Sequence, residues 1–268
     1  MERILLVVQA RLASTRFPRK VLANLSGQPM ILRQLDRLAA MRTSHHVVVA
    51  SPSSDTELSA ILTRHGYDCA LVDGDQEDVL SRYARVAHDY MFEHIVRITG
   101  DCPLIDPMTV DAIIGRHLAR RAAHTGIARE WGDGNDVEVM THAALTLAEK
   151  QAVLPSDREH VTPFLYNHPE KFSLQTFPCP LDASWLRYSV DTEEDLRMVE
   201  YIYNTLTDLY GQHFGWRDIL HLAAKDRYLK KYMLERPHNT AYVQQVAEES
   251  GVQRTWDALR YGGPVRHG

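Results

Sequence analysis

Up to about residue 124 the sequence alternates short apolar runs with amphipathic stretches, and few folds can accept that pattern. Ile4–Val8 is apolar throughout, as a strand covered on both faces must be. Val47–Ala50, Cys69–Val72 and His94–Ile98 repeat the signal. Between them lie helical stretches. One opens at Pro29 and carries Ile31, Leu35 and Leu38 at helical spacing to about Met41; one spans Asp55–His65 and stops at Gly66; one spans Asp78–Tyr90. A fourth begins with Asp106 as cap and Pro107 in its first turn. Strands and helices in this order imply right-handed crossovers, so the chain is read as α/β, with a mostly parallel sheet and helices on both faces. Ligands of such sheets bind beyond the carboxyl ends of the strands. Residues 9–20, 50–54 and 99–106 fall there.

Beyond residue 124 the alternation loosens. Val137–Met140 reads as a strand, Ala143–Gln151 as a helix, and Asp157–Asn167 as a helix despite Pro163. Phe172–Phe177 reads as a strand of a separate sub-sheet, Leu186–Val190 as a strand returning to the main sheet, and Thr192–Leu209 as a long helix. Residues 216–268 are helical and amphipathic, and every chemical motif precedes them. The expected division is a main domain at 1–210 and a helical C-terminal extension at 211–268, the latter peripheral to chemistry. A net charge of −5 argues against a nucleic-acid surface. Three scattered cysteines with no C-x-x-C pair argue against zinc and suit a reducing compartment. The N-terminal apolar run is too short for a leader or a membrane span. The expectation is a soluble cytoplasmic protein.

Four clusters can carry chemistry. Gln9–Lys20 places Arg11, Arg16, Arg19 and Lys20 directly after the first strand, with the small residues Ala13, Ser14 and Thr15 letting a ligand approach. Forked guanidinium donors and a lysine point charge suit a triphosphate, although a solvated basic loop has the same composition. Thr99–Asp106 puts Gly100 and Asp101 at a strand end, where a carboxylate can help hold Mg²⁺; a turn aspartate is the plainer reading. Arg187–Asp195 offers Asp191 as a second metal carboxylate, or as an ordinary acid before a helix. Asp136 and Glu138, with Arg158 and His160, can line an acceptor pocket or simply lie on the surface. Ala50 and Ser51 are small enough to leave room for a base.

Gln9-Ala-Arg-x-x-Ser-x-Arg-x-Pro-x-Lys20 resembles the nucleotide signature of the cytidylyltransferases that make CMP-sialic acids and CMP-KDO. Asp78-Val-Leu-Ser-Arg82-Tyr83, Arg97-Ile-Thr-Gly-Asp101-Cys-Pro-Leu-Ile-Asp106, Asp136-Val-Glu-Val139, Arg158-Glu-His-Val-Thr162 and Arg187-x-Ser-Val-Asp191 resemble the spore-coat polysaccharide branch of that family. The resemblance spans roughly residues 3 to 209. It implies a nucleotide-diphospho-sugar transferase fold and a magnesium-dependent transfer of CMP from CTP to a small acidic sugar. It implies Mg²⁺ on Asp101 and Asp191, phosphate contacts from Arg11, Arg16 and Lys20, and Arg82 among the nucleotide contacts. Arg187 joins the acceptor candidates. It also implies a homodimer through residues 130–180. Rival readings are another nucleotide or a non-sugar acceptor, a glycosyltransferase of similar fold, and a non-catalytic nucleotide-binding protein.

Overall fold

The computed structural model describes residues 3–236 and 240–250. Its main sheet is built from β1 (Ile4–Gln9), β4 (His46–Pro52), β5 (Asp68–Val72), β6 (His94–Thr99), β7 (His124–Ile127), β8 (Val137–Thr141) and β9 (Leu174–Phe177). The order across the sheet is β5-β4-β1-β6-β8-β7-β9. β1 pairs in parallel with β4 and β6, β4 with β5, and β7 with β9; only β8 runs against its neighbours.

The unbroken apolar run of β1 has a direct cause. Ile4, Leu6 and Val8 join one core cluster, whereas Leu5 and Val7 join another on the opposite face. The first face is covered by α1 (Met30–Leu38), α2 (Thr56–Arg64), α4 (Pro107–Arg120) and α8 (Glu193–Tyr210). The second is covered by α3 (Val79–Tyr90), α5 (His142–Gln151) and the short α7 (Pro163–Tyr166), with α6 (Pro155–His160) packed on α3. Burying each such aliphatic side chain stabilises the fold by roughly 1.5–3 kcal/mol. Tyr83 on α3 is fully buried, and its hydroxyl reaches the carbonyls of Val7 and Ile98 at 3.2 and 3.1 Å.

Several expectations need correction. Residues 186–190 form no strand of the main sheet. Their backbone bonds go to two different segments, Asp133 and Asp101, with a single bridge at Asp133 and Arg187, so no ladder can extend. The strand at 174–177 belongs to the main sheet, beside β7, rather than to a sub-sheet. β7 itself is short, and its His124-Thr-Gly-Ile sequence carries no strand alternation. The 157–167 helix is broken at Val161, whose φ of 72° and ψ of −55° close a γ-turn from Thr162 N–H to the His160 carbonyl at 2.8 Å. A two-stranded hairpin, β2 (Asn24–Leu25) with β3 (Gln28–Pro29), follows the basic loop.

The C-terminal region is helical, with α9 (Trp216–Lys225), α10 (Arg227–Leu234) and α11 (Thr240–Ser250). The part up to residue 236 packs into the main domain: Trp216, Ile219, Ala223, Leu229 and Met233 belong to the first core cluster. Asp106 caps α4 as expected, accepting from Met108 N–H at 2.9 Å, and also accepts from Trp216 N–H at 3.3 Å. The expectation of helix over 251–268 lies outside the described residues. Among the described residues, no helix is long and apolar enough to cross a membrane.

Candidate active site

Three chain segments that are distant in sequence meet at Lys20. Its ammonium donates to Asp101 Oδ2 at 3.1 Å, to Asp191 Oδ1 at 3.0 Å and to the Val190 carbonyl at 2.9 Å. Arg16 reaches the same Asp191 oxygen at 3.1 Å. Burial works against the Lys20 charge, but Asp101 and Asp191 outweigh it and hold the ammonium above its ordinary range. Burial likewise pushes Asp101 up, yet Lys20 and a Thr99 hydrogen bond leave it below the usual carboxylate range. The closeness has a backbone cause. Gly100 N–H donates to the Gln9 carbonyl at 2.8 Å, and a Cβ on Gly100 would stand 2.8 Å from that oxygen and 3.2 Å from Ala10 Cβ. Glycine there lets the β6 loop touch the end of β1.

Asp191 is braced from behind. Arg187 donates to Asp191 Oδ2 at 3.0 Å and to Asp195 Oδ1 at 2.7 Å, and lies 3.5 Å from Asp133. Asp195 is also the third residue of a capping box with Thr192, and it accepts from Tyr232 OH at 3.0 Å. Arg187 therefore orients carboxylates, with its donors spent on protein. Asp133 lies beside Asp136; burial first, and then the Asp136 charge, raises its carboxyl well above the usual range despite Arg187. Asp136 accepts from Gly134 N–H at 3.0 Å. One cation at the Lys20 position touches both Asp101 and Asp191, an oxygen-only pair of the kind a hard divalent ion takes. Among the described residues no group of three or more His, Cys, Asp or Glu could hold a metal, so further ligands would be substrate oxygens or water.

The rest of the first loop is held by residues the motifs did not mark. Asp55 accepts from Leu12 N–H at 2.8 Å and from Ser51 Oγ at 3.0 Å. Ser51 and Ala50 are fully buried and the Ala50 carbonyl accepts from Ala10 N–H at 3.1 Å, so neither residue offers the exposed surface expected beside a base. Arg11 pairs with Glu77 at 2.7 Å. Buried Arg82 donates to the Gln76 carbonyl at 3.1 Å, while its Nε and Nη1 have no partner. Burial, followed by the Arg11 charge, lowers its pKa. Two neighbouring guanidiniums with spare donors make a site for an anion. Ser14 N–H turns back to the Leu12 carbonyl at 3.0 Å within the loop.

The acceptor candidates separate. Glu138 binds Arg97 at 3.1 Å and the Thr162 hydroxyl at 2.7 Å, a buried bracket across β6, β8 and the α6–α7 turn. Arg158 is a clamp: it grips Asp78 at 3.0 and 2.7 Å and donates to the carbonyls of Glu149 and Ala152 and to Ser81. His160 stands free of that clamp, with burial and then Arg97 lowering its pKa to about 4.

The cytidylyltransferase family model matches residues 5–236. The chain belongs to the cytidylyltransferase family. Among curated relatives, the Bacillus subtilis spore coat polysaccharide biosynthesis protein SpsF is 30% identical over 212 residues, covering 76% of this chain and 87% of the relative. A 3-deoxy-manno-octulosonate cytidylyltransferase from Leptothrix cholodnii is 38% identical over 148 residues, covering 51% of this chain and 53% of the relative. Among solved structures, a cytidylyltransferase from Leptospira borgpetersenii superposes with a TM-score of 0.79 at 26% identity, covering 88% of this chain and 98% of that one. CMP:2-keto-3-deoxy-manno-octonic acid synthetase complexed with CTP shares the fold, with a TM-score of 0.64 at 17% identity, 76% of this chain and all of that one. In this cytidylyltransferase the matched segment includes every residue of the Lys20 constellation.

Proposed function

We propose that the enzyme transfers CMP from CTP to a hydroxyl of a small acidic sugar for surface polysaccharide synthesis, with release of pyrophosphate. The observation that carries this reading is the convergence of Lys20, Asp101 and Asp191, with Arg16, at one point beyond the carboxyl ends of the sheet. In the reaction the acceptor oxygen forms a bond to the α-phosphorus, the bond from that phosphorus to the bridging oxygen breaks, and the hydroxyl proton passes to solvent. Such a transfer asks for positioning and charge stabilisation more than covalent help. Arg11, Arg82 and Arg16 supply donors for the triphosphate. Lys20 follows the charge that develops on the leaving pyrophosphate. Mg²⁺ held by Asp101 and Asp191 would polarise the α-phosphate and lower the pKa of the acceptor hydroxyl. Arg187 and Asp195 keep Asp191 aimed. His160 and the Arg97–Glu138 bracket face the acceptor. A homodimer through residues 130–180 belongs to the same proposal.

The test is pyrophosphate release from CTP, ATP, GTP and UTP with a panel of acidic and neutral sugars. CTP with an acidic sugar should lead, and Asp101→Asn and Asp191→Asn should each lower turnover roughly 10²–10³-fold. Equal turnover of GTP and CTP, or an Asp191→Asn enzyme with the native rate and metal dependence, would sink the proposal.

A further inference from the structure

The family match ends at residue 236, and α11 begins at Thr240, so this helix is outside the shared segment. It is nonetheless docked on the acceptor end of the site. Ser156 at the start of α6 donates to Glu249 through its N–H at 2.6 Å and its hydroxyl at 2.5 Å. The Tyr166 hydroxyl meets that of Tyr242 at 3.1 Å, and the Tyr242 ring stands edge-on to His160 with centroids 4.7 Å apart.

Gln245 lies between the two polar side chains that end α6. Its amide nitrogen donates to Glu159 Oε2 at 2.9 Å, and its amide oxygen lies 3.0 Å from His160 Nε2. An amide oxygen only accepts, so Nε2 carries the ring proton and Nδ1 keeps its lone pair. With its pKa near 4, the His160 ring is neutral at neutral pH and its Nδ1 can accept a hydroxyl. On the other side, burial and the neighbouring Glu77 raise the Glu159 carboxyl, and Glu77 is the partner of Arg11 in the first loop. Gln245 thus touches the end of a chain of contacts that begins at the triphosphate loop.

We propose that α11 is the outer wall of the acceptor subsite and that Gln245 is a specificity-determining positioning residue. It fixes His160 as a hydrogen-bond acceptor for a hydroxyl of the acidic sugar. The inference rests on the acceptor placement proposed above.

The full chain carrying Gln245→Met, which keeps length and removes both hydrogen bonds, is compared with Gln245→Glu, which keeps an acceptor for Nε2. Gln245→Met should raise the acceptor KM about tenfold and leave the CTP KM within about twofold. Nitrogen NMR of labelled histidine, recorded without substrate, should show the His160 Nε2–H tautomer in the native chain and in Gln245→Glu, and a tautomer mixture in Gln245→Met. A purely structural role for Gln245 would not separate the two variants. An unchanged acceptor KM in Gln245→Met, or an unchanged tautomer, overturns the inference. A native enzyme that turns over no acidic sugar sinks the functional reading instead, and the substrate-free spectrum still decides whether Gln245 sets His160.

Discussion

Lys20 is surrounded by two carboxylates and a carbonyl, and that environment makes its substitution informative. Lys20→Ala removes the charge that holds Asp101 down, so the Asp101 pKa should rise. Nucleotide affinity should fall about ten- to a hundredfold, as loss of a charge-assisted bond does, and isothermal titration with CTP measures it. Unchanged affinity would return the basic loop to an ordinary solvated surface. Lys20, Asp101 and Asp191 were legible in the sequence because Lys20 and Asp101 follow apolar runs and Asp191 precedes a cap. Asp55, Glu77, Asp195 and Gln245 were not. Asp195 reads as an ordinary capping acid until Arg187 and Tyr232 are seen to share it. Nothing near Asp55 in the sequence says that it will hold Leu12, 43 positions away. Arg158 misleads for the opposite reason: its charge suggests a ligand, but the fold spends all its donors on α5 and α3.

At the scale of elements, the parallel half of the sheet could be read from periodicity, since β1, β4 and β6 are buried on both faces. β8 could also be read as a strand, but its antiparallel pairing could not, because pairing depends on long-range register, and the short β7 showed no pattern at all. Their contact with α4 carries a pH signature. His117 of α4 is fully buried, with Nδ1 at 3.0 Å from Thr125 Oγ1 of β7 and Nε2 at 3.1 Å from His94 Nδ1 of β6. Burial, followed by the neighbouring histidines, lowers its pKa from 6.5 to about 3. The folded chain therefore binds this proton less readily than the unfolded one. Its contribution is fully present above about pH 6.5 and is lost as the pH falls toward about 3. The melting temperature should drop across that window, and His117→Gln should flatten the drop. An identical slope in the variant would remove His117 as its cause.

For the whole molecule, the boundary expected near residue 210 does not separate two independent parts. Trp216 packs edge-on against Trp131 with centroids 5.0 Å apart, and Arg37 of α1 donates to the Phe214 carbonyl at 2.7 Å. A chain ending at Tyr210 would leave this face of the core open to water. It should melt well below the full chain and bind CTP weakly; native melting and affinity in that truncation would show the C-terminal helices to be dispensable. This segment carries no chemical motif, so its sequence reveals only an apolar stripe and not which face of the core it closes. Tyr232 gives the arrangement a temporal side. Its hydroxyl is the last link in the line through Asp195 and Arg187 to Asp191. A polypeptide leaves the ribosome N-terminus first, so the basic loop and every strand of the main sheet emerge before that link. During synthesis the growing chain would carry its whole sheet while still unable to grip a triphosphate firmly. Competence would arrive only once Tyr232 has emerged and closed onto Asp195.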